Sequence, residues 1–428
     1  MIFTTAAISN RRKRATVVLE RMMKTDDVLL IYSGQPIQRP GGLDQNYPFI
    51  SHPDYYWATG FVRPGGICVF SKNDGWVDFV SPVGVEEKIW GHVFDEAPGL
   101  DVAGFEKWLA TKHFTRAFVL GAGCGTQSVP LVSSENRGLL QEAFNEVRRI
   151  KDAEEIALIE SIAKMAHAGY SKIKEVLRPG VSEREIQVAY EGEIFRAGAD
   201  AVPYETIVGS GHHGSILHAL PTSRVVKSGE VVLIDAGAAR HHYCVDITRV
   251  YSADGKFSTQ QKSLYDVVLK AQQNAIAMCA EGVEWKDVHL ASARSMAEGL
   301  RQLNILNVSA DVAVETGAIG VFFPHGVGHL VGLHVRDVGG LNNPNPKKYA
   351  GARIRIDMPL KNGYLMTVEP GLYFIKEILN SDETRRTFKN EINWNEVNRW
   401  MDFGGIRIED DIFIQSQGPK NLTSLVDK

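Results

Sequence analysis

Cysteine is scarce: Cys68, Cys124, Cys244 and Cys279 are the only four in 428 residues, and no two form a C-x-x-C pair. That spacing excludes a disulfide framework and a thiolate zinc site, and fits a reducing compartment. Charge of one sign is also lacking. Forty-seven basic residues against 51 acidic ones leave a net charge of -4 with no long block of either sign, so nucleic-acid binding has no electrostatic footprint. No stretch approaches the ~18 apolar residues of a membrane span. The basic run Arg11-Arg12-Lys13-Arg14 follows the weakly apolar start MIFTTAAISN, the reverse of a secretory signal. A cytoplasmic protein without nucleic-acid or membrane partners is expected, with room for two to four domains at roughly 100–200 residues each.

What is present reads as two regions. The runs DVLLIYSG from Asp27, GICVFSK, WVDFVSP and RAFVLGAG read as strands, the second and third separated by the turn Asn73-Asp74-Gly75. Helical stretches at Val85–Trp90 and Val102–Thr111 alternate with them, which predicts a small α/β domain over residues 1–148. From about residue 149 a second, α+β domain runs to 428. It opens on a long amphipathic helix with Ile156, Ile159, Ile162, Ala163, Ala166 and Ile173 at three- and four-residue spacing. Ser182 and Glu185 form a capping box for the next helix. Gly180-Val181 is echoed 102 residues later by Gly282-Val283, each between two helices, so a duplicated half-domain is expected.

The segment VVLIDAGAARHHYCVDITRVY, Val231 to Tyr251, carries the chemistry. A hairpin centred between Arg240 and His241 would set Asp235 directly opposite Asp246. Two carboxylates ~5 Å apart on a half-buried sheet repel each other and are poorly solvated, so a proton or a cation must sit between them, unless a bulge turns one to solvent. Glu369 in YLMTVEPGLYF and Glu409 in GGIRIEDDIFI each interrupt another apolar strand-like run, and His325 and His329 lie in PHGVGHLVGLHVRD. Hard oxygen donors with one imidazole suit a pair of manganese, cobalt or zinc ions. Calcium is disfavoured by the imidazole and by the lack of an EF-type loop. His212-His213 and His241-His242 fall in turns and read as loop residues.

These residues in this order, with YPFISHPDYYWATGF near residue 50 and VPYETIVGSG before the first Asp, resemble the di-metal peptidases of the pita-bread fold, the prolidase and aminopeptidase P family. The resemblance implies a small N-terminal domain and a pita-bread catalytic domain with a pseudo-twofold repeat. It implies two divalent ions, manganese first, with cobalt or zinc as alternatives. Asp235 would chelate one ion, His329 and Glu369 the other, while Asp246 and Glu409 would bridge them. Glu369 would also be the proton acceptor for the bridging water, and His218 and His325 would contact substrate and stabilise the tetrahedral intermediate. Arg407 would lie at the substrate's proline end, with Tyr204 and Thr248 supporting the ligands. Trp90 would reach into a partner's site, making a homodimer functional.

The chain departs from the family at Arg336, where a histidine is expected seven residues after His329. Arginine stays protonated and cannot shuttle a proton, but it can hold a carboxylate. Arg336 therefore reads as a substrate-binding residue, or as the mark of a catalytically weakened binding protein. The insertion Phe374–Phe403 and the turn DVGG after Arg336 favour an Xaa-Pro dipeptidase over aminopeptidase P, both acting on short proline peptides. Retention of all five ligands argues against the metal-free relatives and the non-catalytic histone-chaperone users of the fold.

Overall fold

The computed structural model describes residues 2–90, 97–123, 125–126, 128–339 and 347–428. Cys124 and Gly340, the last residue of DVGG, lie outside them. The chain divides into two compact units, Met1–Arg148 and Arg149–Lys428. Among the described residues no helix is long and apolar enough to cross a membrane.

The first unit starts with α1 (Thr5–Met22), an element the sequence reading did not anticipate. Its buried face is Ala7, Ile8, Arg11, Ala15 and Leu19, too sparse in large apolar side chains to show a helical period. It is started instead by the Thr4 side chain, which accepts from Ala7 N. Then follow β1 (Asp27–Tyr32), α2 (Pro53–Thr59), β2 (Ile67–Ser71), β3 (Gly75–Val80), α3 (Val85–Trp90), β4 (Leu100–Asp101), α4 (Phe105–Ala110), β5 (Arg116–Gly121) and α5 (Ser134–Arg149). The sheet order is β4-β3-β2-β1-β5, with β1 parallel to β5. Val28, Leu30, Val69, Phe79 and Phe105 form its core. Trp90 ends α3 with 86% of its surface exposed.

The second unit opens on α6 (Ala153–Val176), capped by a reciprocal Asp152–Glu155 box, and α7 (Glu183–Arg196), capped by Ser182 and Glu185. Of the predicted apolar face of α6, Ile159, Ile162, Ala163, Ala166 and Ile173 are buried and Ile156 is half-buried. The strands β6 (Ile207–Ser210), β7 (Val231–Asp235) and β10 (Thr248–Ser252) form one sheet, and β8 (Ala239–Arg240) and β9 (Tyr243–Cys244) form a short hairpin between β7 and β10. The helices α8 (Thr259–Ala277), α9 (Trp285–Gln302) and α10 (Ala310–Glu315) precede the hairpin β11 (Lys348–Tyr349) and β12 (Ala352–Arg353). The strands β13 (Leu365–Val368) and β14 (Gly371–Tyr373) come next, then the short helices α11 (Lys376–Leu379), α12 (Asp382–Thr387) and α13 (Trp394–Trp400). Last are β15 (Gly405–Arg407), β16 (Asp410–Phe413) and β17 (Lys420–Asn421), with β13-β16-β17 as a second three-stranded sheet and β14 paired to β15.

The duplication is visible in hydrogen bonds. Gly180 N donates to Val226 O at 2.9 Å and Val226 N returns to Val181 O at 2.8 Å; Gly282 N donates to Leu360 O and Leu360 N to Val283 O, both at 2.8 Å. Both glycines have left-handed φ, 99° and 85°, which only glycine adopts at little cost. Past this clasp the sequence offset changes from 102 to 134 residues: Lys227-Ser228-Gly229 leads to Asp235 as Lys361-Asn362-Gly363 leads to Glu369. The change of offset conceals from a fixed-period reading that Asp235 and Glu369 are equivalent positions. The two halves meet where Thr248 bridges Glu409 and where Arg249 pairs with Asp410 at 2.7 Å.

Candidate metal centre

The β8–β9 hairpin sets the register of the first carboxylate pair. Arg240 pairs with Tyr243 across a two-residue turn, His241-His242, whose φ angles of 52° and 67° are those of a type I′ turn. The turn is thus centred one residue beyond the predicted position, and Asp235 pairs with Thr248 rather than Asp246. This corrects the expected direct pairing. Moving the turn by one residue moves each partner by two, so the facing side is kept and Asp246 remains a diagonal neighbour of Asp235. Tyr204 links them, its Oη lying 2.8 Å from Asp235 Oδ1 and 2.6 Å from Asp246 Oδ1. A phenol has one proton, so it cannot donate to both carboxylates at once. Opposite Asp246 the chain has Gly237, where a Cβ would lie 2.2 Å from Val245 O.

The other ligand types arrive from the second half. His329 N donates to Thr367 Oγ1 at 3.0 Å, Thr367 N to His329 O at 2.8 Å, and Glu369 N to Val327 O at 2.8 Å. These bonds hold the glycine-rich segment against β13. A Cβ at Gly328 would lie 2.0 Å from Thr367 O, so this approach requires glycine. His329 Nδ1 is 3.1 Å from Leu330 O, while Nε2 faces Asp246 Oδ2 at 3.4 Å and Glu369 Oε1 at 3.7 Å. An Nδ1–H bonded to a carbonyl leaves the Nε2 lone pair aimed at the carboxylates, the usual arrangement of a ligating imidazole. Ligand atoms of Asp246, His329 and Glu409 lie within 4.8 Å of one another.

The electrostatics of this cluster favour a cation. Burial raises the Asp235 carboxyl to about 6, with Arg407 opposing and Asp246 adding to the rise. Burial raises Glu369 to about 7, the pull of His329 and Arg407 being outweighed by burial and by Asp246 and Asp235. Glu409 is pushed well above the ordinary range by burial and by Asp246, Glu369 and Asp235. Buried like charges of this kind persist when a cation or protons neutralise them, and the donor set of carboxylates plus one imidazole fits divalent transition metals.

A further layer lies behind the candidate ligands. Thr248 Oγ1 donates to Glu409 Oε2 at 2.6 Å, and Asp246 N donates to Asp411 Oδ2 at 3.1 Å. Arg407, expected at the substrate's proline end, spends its three nitrogens otherwise: Nη2 on Asp235 Oδ2 at 2.6 Å, Nε on Thr248 Oγ1 at 3.1 Å, Nη1 on Tyr373 Oη at 2.9 Å. With 3% of its surface exposed it is a strut for Asp235, although it also borders the cavity.

Comparison with known proteins decides the family. The description "Metallopeptidase family M24" matches residues 157–416, more than half of the chain, and "Aminopeptidase P, N-terminal domain" matches residues 8–118. This chain belongs to metallopeptidase family M24. A probable Xaa-Pro aminopeptidase of Penicillium rubens is 32% identical over 89% of this chain and 87% of its own length, and one of Paracoccidioides brasiliensis is 29% identical over 96% and 93%. Among solved structures, aminopeptidase P from E. coli with the inhibitor Pro-Leu is 26% identical, with TM-score 0.80 over 100% of this chain and 96% of that one. As an M24 member the chain has the pita-bread catalytic domain and is a metal-dependent exopeptidase. These relatives are named as aminopeptidases, which matches the aminopeptidase P alternative better than the dipeptidase reading drawn from the insertion Phe374–Phe403. In this M24 chain the insertion forms α11 to α13 and closes an aromatic cluster, Phe374 stacked on Trp400 at 5.3 Å.

The M24 centre opens into a cavity of about 360 Å³ bordered by Asp235, Asp246, His329, Glu369 and Glu409. His218 borders it too and is exposed, which sets aside a core-histidine role. Burial, then Arg336, Arg407 and Arg355, lowers its pKa. His325 is engaged at both ring nitrogens, Nδ1 2.8 Å from Gly326 O and Nε2 2.9 Å from Tyr373 Oη. Burial, followed by Arg407, lowers it to about 3, so it is neutral. Its expected part as a donor to a tetrahedral intermediate therefore lacks a free N–H in this arrangement. Arg336 borders the cavity together with Arg355, a residue the sequence reading missed, and among the described residues neither has an ion pair. The nearest acid in sequence, Asp337, is buried and pairs with Lys151 at 3.1 Å. Tyr373 was missed as well. Its only signal was its place four residues after Glu369 on the same strand-like run.

Proposed function

We propose that the chain is an Xaa-Pro aminopeptidase, removing the first residue from peptides whose second residue is proline. The observation that supports this reading most is the convergence of Asp235, Asp246, His329, Glu369 and Glu409 on one cavity, together with relatives that carry that name. Two divalent ions, manganese foremost, would be held by these five side chains. Bound there, they supply Lewis-acid polarisation of the scissile carbonyl and an activated water. Glu369, raised to about 7 in the metal-free protein, is the proton acceptor, and His218 is the donor to the oxygen of the reacting carbonyl. His218→Ala should lower kcat on an Xaa-Pro-Xaa tripeptide by roughly 10²–10³-fold, the usual cost of one such donor, with metal content unchanged. Wild-type turnover in that variant would remove His218 from the reaction.

One observation favours a second reading, the dipeptidase. Arg336 and Arg355 border the cavity with His218, and among the described residues neither is ion-paired with an acid, while a dipeptide carries its carboxylate close to the scissile bond. A hydrogen bond to a charged group contributes about 1.5–3 kcal/mol, so Arg336→Ala should raise KM for a Gly-Pro dipeptide by roughly 10–100-fold and affect a tripeptide less. An equal change on both substrates would leave the aminopeptidase reading alone.

A further inference from the structure

The loop that carries His218 leaves β6 at Ser210 and returns at Thr222; Ile216, His218, Leu220 and Thr222 are exposed, while Ala219 is buried in the core and Leu217 packs against it. Both of its ends are held by one carboxylate outside the metal cluster. Glu183, the first residue of α7, is fully buried. Its Oε1 accepts from Ser210 N at 3.0 Å and Ser210 Oγ at 2.8 Å, and lies 2.9 Å from His213 Nδ1. Its Oε2 accepts from Thr222 Oγ1 at 2.7 Å and Thr222 N at 3.2 Å. One oxygen thus holds the outgoing leg and the other the returning leg. The backbone repeats the attachment on the return side, where Glu183 N donates to Arg224 O and Arg184 N to Thr222 O, both at 3.0 Å. Between the two legs, Val208 N donates to Ala219 O at 3.1 Å and so ties the residue after His218 back to β6.

We infer that Glu183 is a positioning residue of the reaction: its carboxylate clasps both ends of the Ser210–Thr222 loop and thereby sets the place of His218 over the metal centre. This rests on the reading of His218 given under Proposed function. A carboxylate is required because all the groups facing it include backbone N–H donors on both sides, and only an acceptor at each oxygen satisfies them. The position suits a negative charge, since it lies at the positive end of the helix dipole. Burial works to raise Glu183, and the hydrogen bonds from Thr222 and Ser210 outweigh it and hold the carboxyl below its ordinary value.

Glu183→Gln keeps the shape but turns an amide NH₂ toward N–H donors at one end, releasing one leg of the loop. A displacement of about 1 Å costs up to 10²-fold, so kcat on an Xaa-Pro-Xaa tripeptide should fall roughly 10–100-fold, with KM and bound metal little changed. The deciding measurement is a double-mutant cycle with His218→Ala. If Glu183 acts through His218, Glu183→Gln adds no further loss in the His218→Ala background. Losses that multiply, or an unchanged kcat in the single variant, would overturn the proposal. Should Glu183→Gln fold poorly, the milder Thr222→Val, which removes only the hydroxyl donor at an exposed position, is carried through the same cycle with the same criterion. Full turnover by His218→Ala alone would instead fail the reading of His218, and is separated from failure of the clasp by the single-variant arm.

Discussion

Asp246→Asn is expected to yield a folded protein that neither retains metal nor cleaves Xaa-Pro peptides, and that is more stable than the metal-free parent. Asp246 is the side chain common to the whole cluster. It touches Tyr204 through Oδ1, faces His329 Nε2 through Oδ2, and its charge raises Asp235, Glu369 and Glu409. Asparagine keeps the volume and removes the charge, so it removes a ligand and relieves repulsion in the same step. Loss of activity with loss of metal alone could follow from any disturbance of the site. A simultaneous rise in the melting temperature of the metal-free form could not, because an unrelated defect lowers it. Metal analysis, turnover and thermal unfolding of the two metal-free proteins check the prediction. A variant with full activity would mean that the site lies elsewhere, and an unchanged or lower melting temperature would mean that the carboxylates are not in conflict.

Metal and pH should act on stability in opposite senses. The metal-free protein is expected to lose stability as pH rises from about 4.5 to about 7, and divalent metal to restore it. The sign follows from the folded-state shifts. Asp235, at about 6, and Glu369, at about 7, are raised above their ordinary values by burial and mutual repulsion. In the native state they keep their protons to higher pH than in the unfolded chain. Groups raised in this way contribute stability that is present below the unfolded pKa and is lost as pH climbs through the folded pKa. With each pKa unit equal to about 1.4 kcal/mol, the loss is on the order of several kcal/mol. Metal competes with those protons, so its stabilisation should be small at pH 5 and large at pH 8, about 2.7 kcal/mol at a concentration a hundredfold above Kd. Chelation at pH 8 should then lower the melting temperature far more than chelation at pH 5. Equal shifts at the two pH values would contradict a carboxylate-built centre.

How much of this was legible in sequence depends on the range of the interactions involved. The ligand types were legible because each is a polar residue in a run that otherwise reads as buried strand, as with Asp235 after VVLI and Glu369 after YLMTV. The capping boxes and the apolar face of α6 were legible because they are local, made within one helical turn or along one helix. The register of the first pair was not. It hangs on whether His241-His242 adopts two left-handed residues in succession, and histidine does not announce that turn as asparagine and glycine would. α1 was hidden because only Ile8 and Leu19 among its buried side chains are large and apolar and its charges are many.

By itself the sequence determined which residues stand as candidate ligands, the class of reaction and the duplicated plan, since these follow from residue type, order and short spacing. The tertiary structure alone decided what stands behind and beside them. It assigned Arg407 to Asp235, engaged His325 with Tyr373, placed Arg355 beside Arg336, and brought Glu183 to both ends of the His218 loop. Each of these contacts joins residues remote in the chain or read from different elements. Their energetics depend on burial and on distances of about 3 Å, which no periodicity or motif encodes.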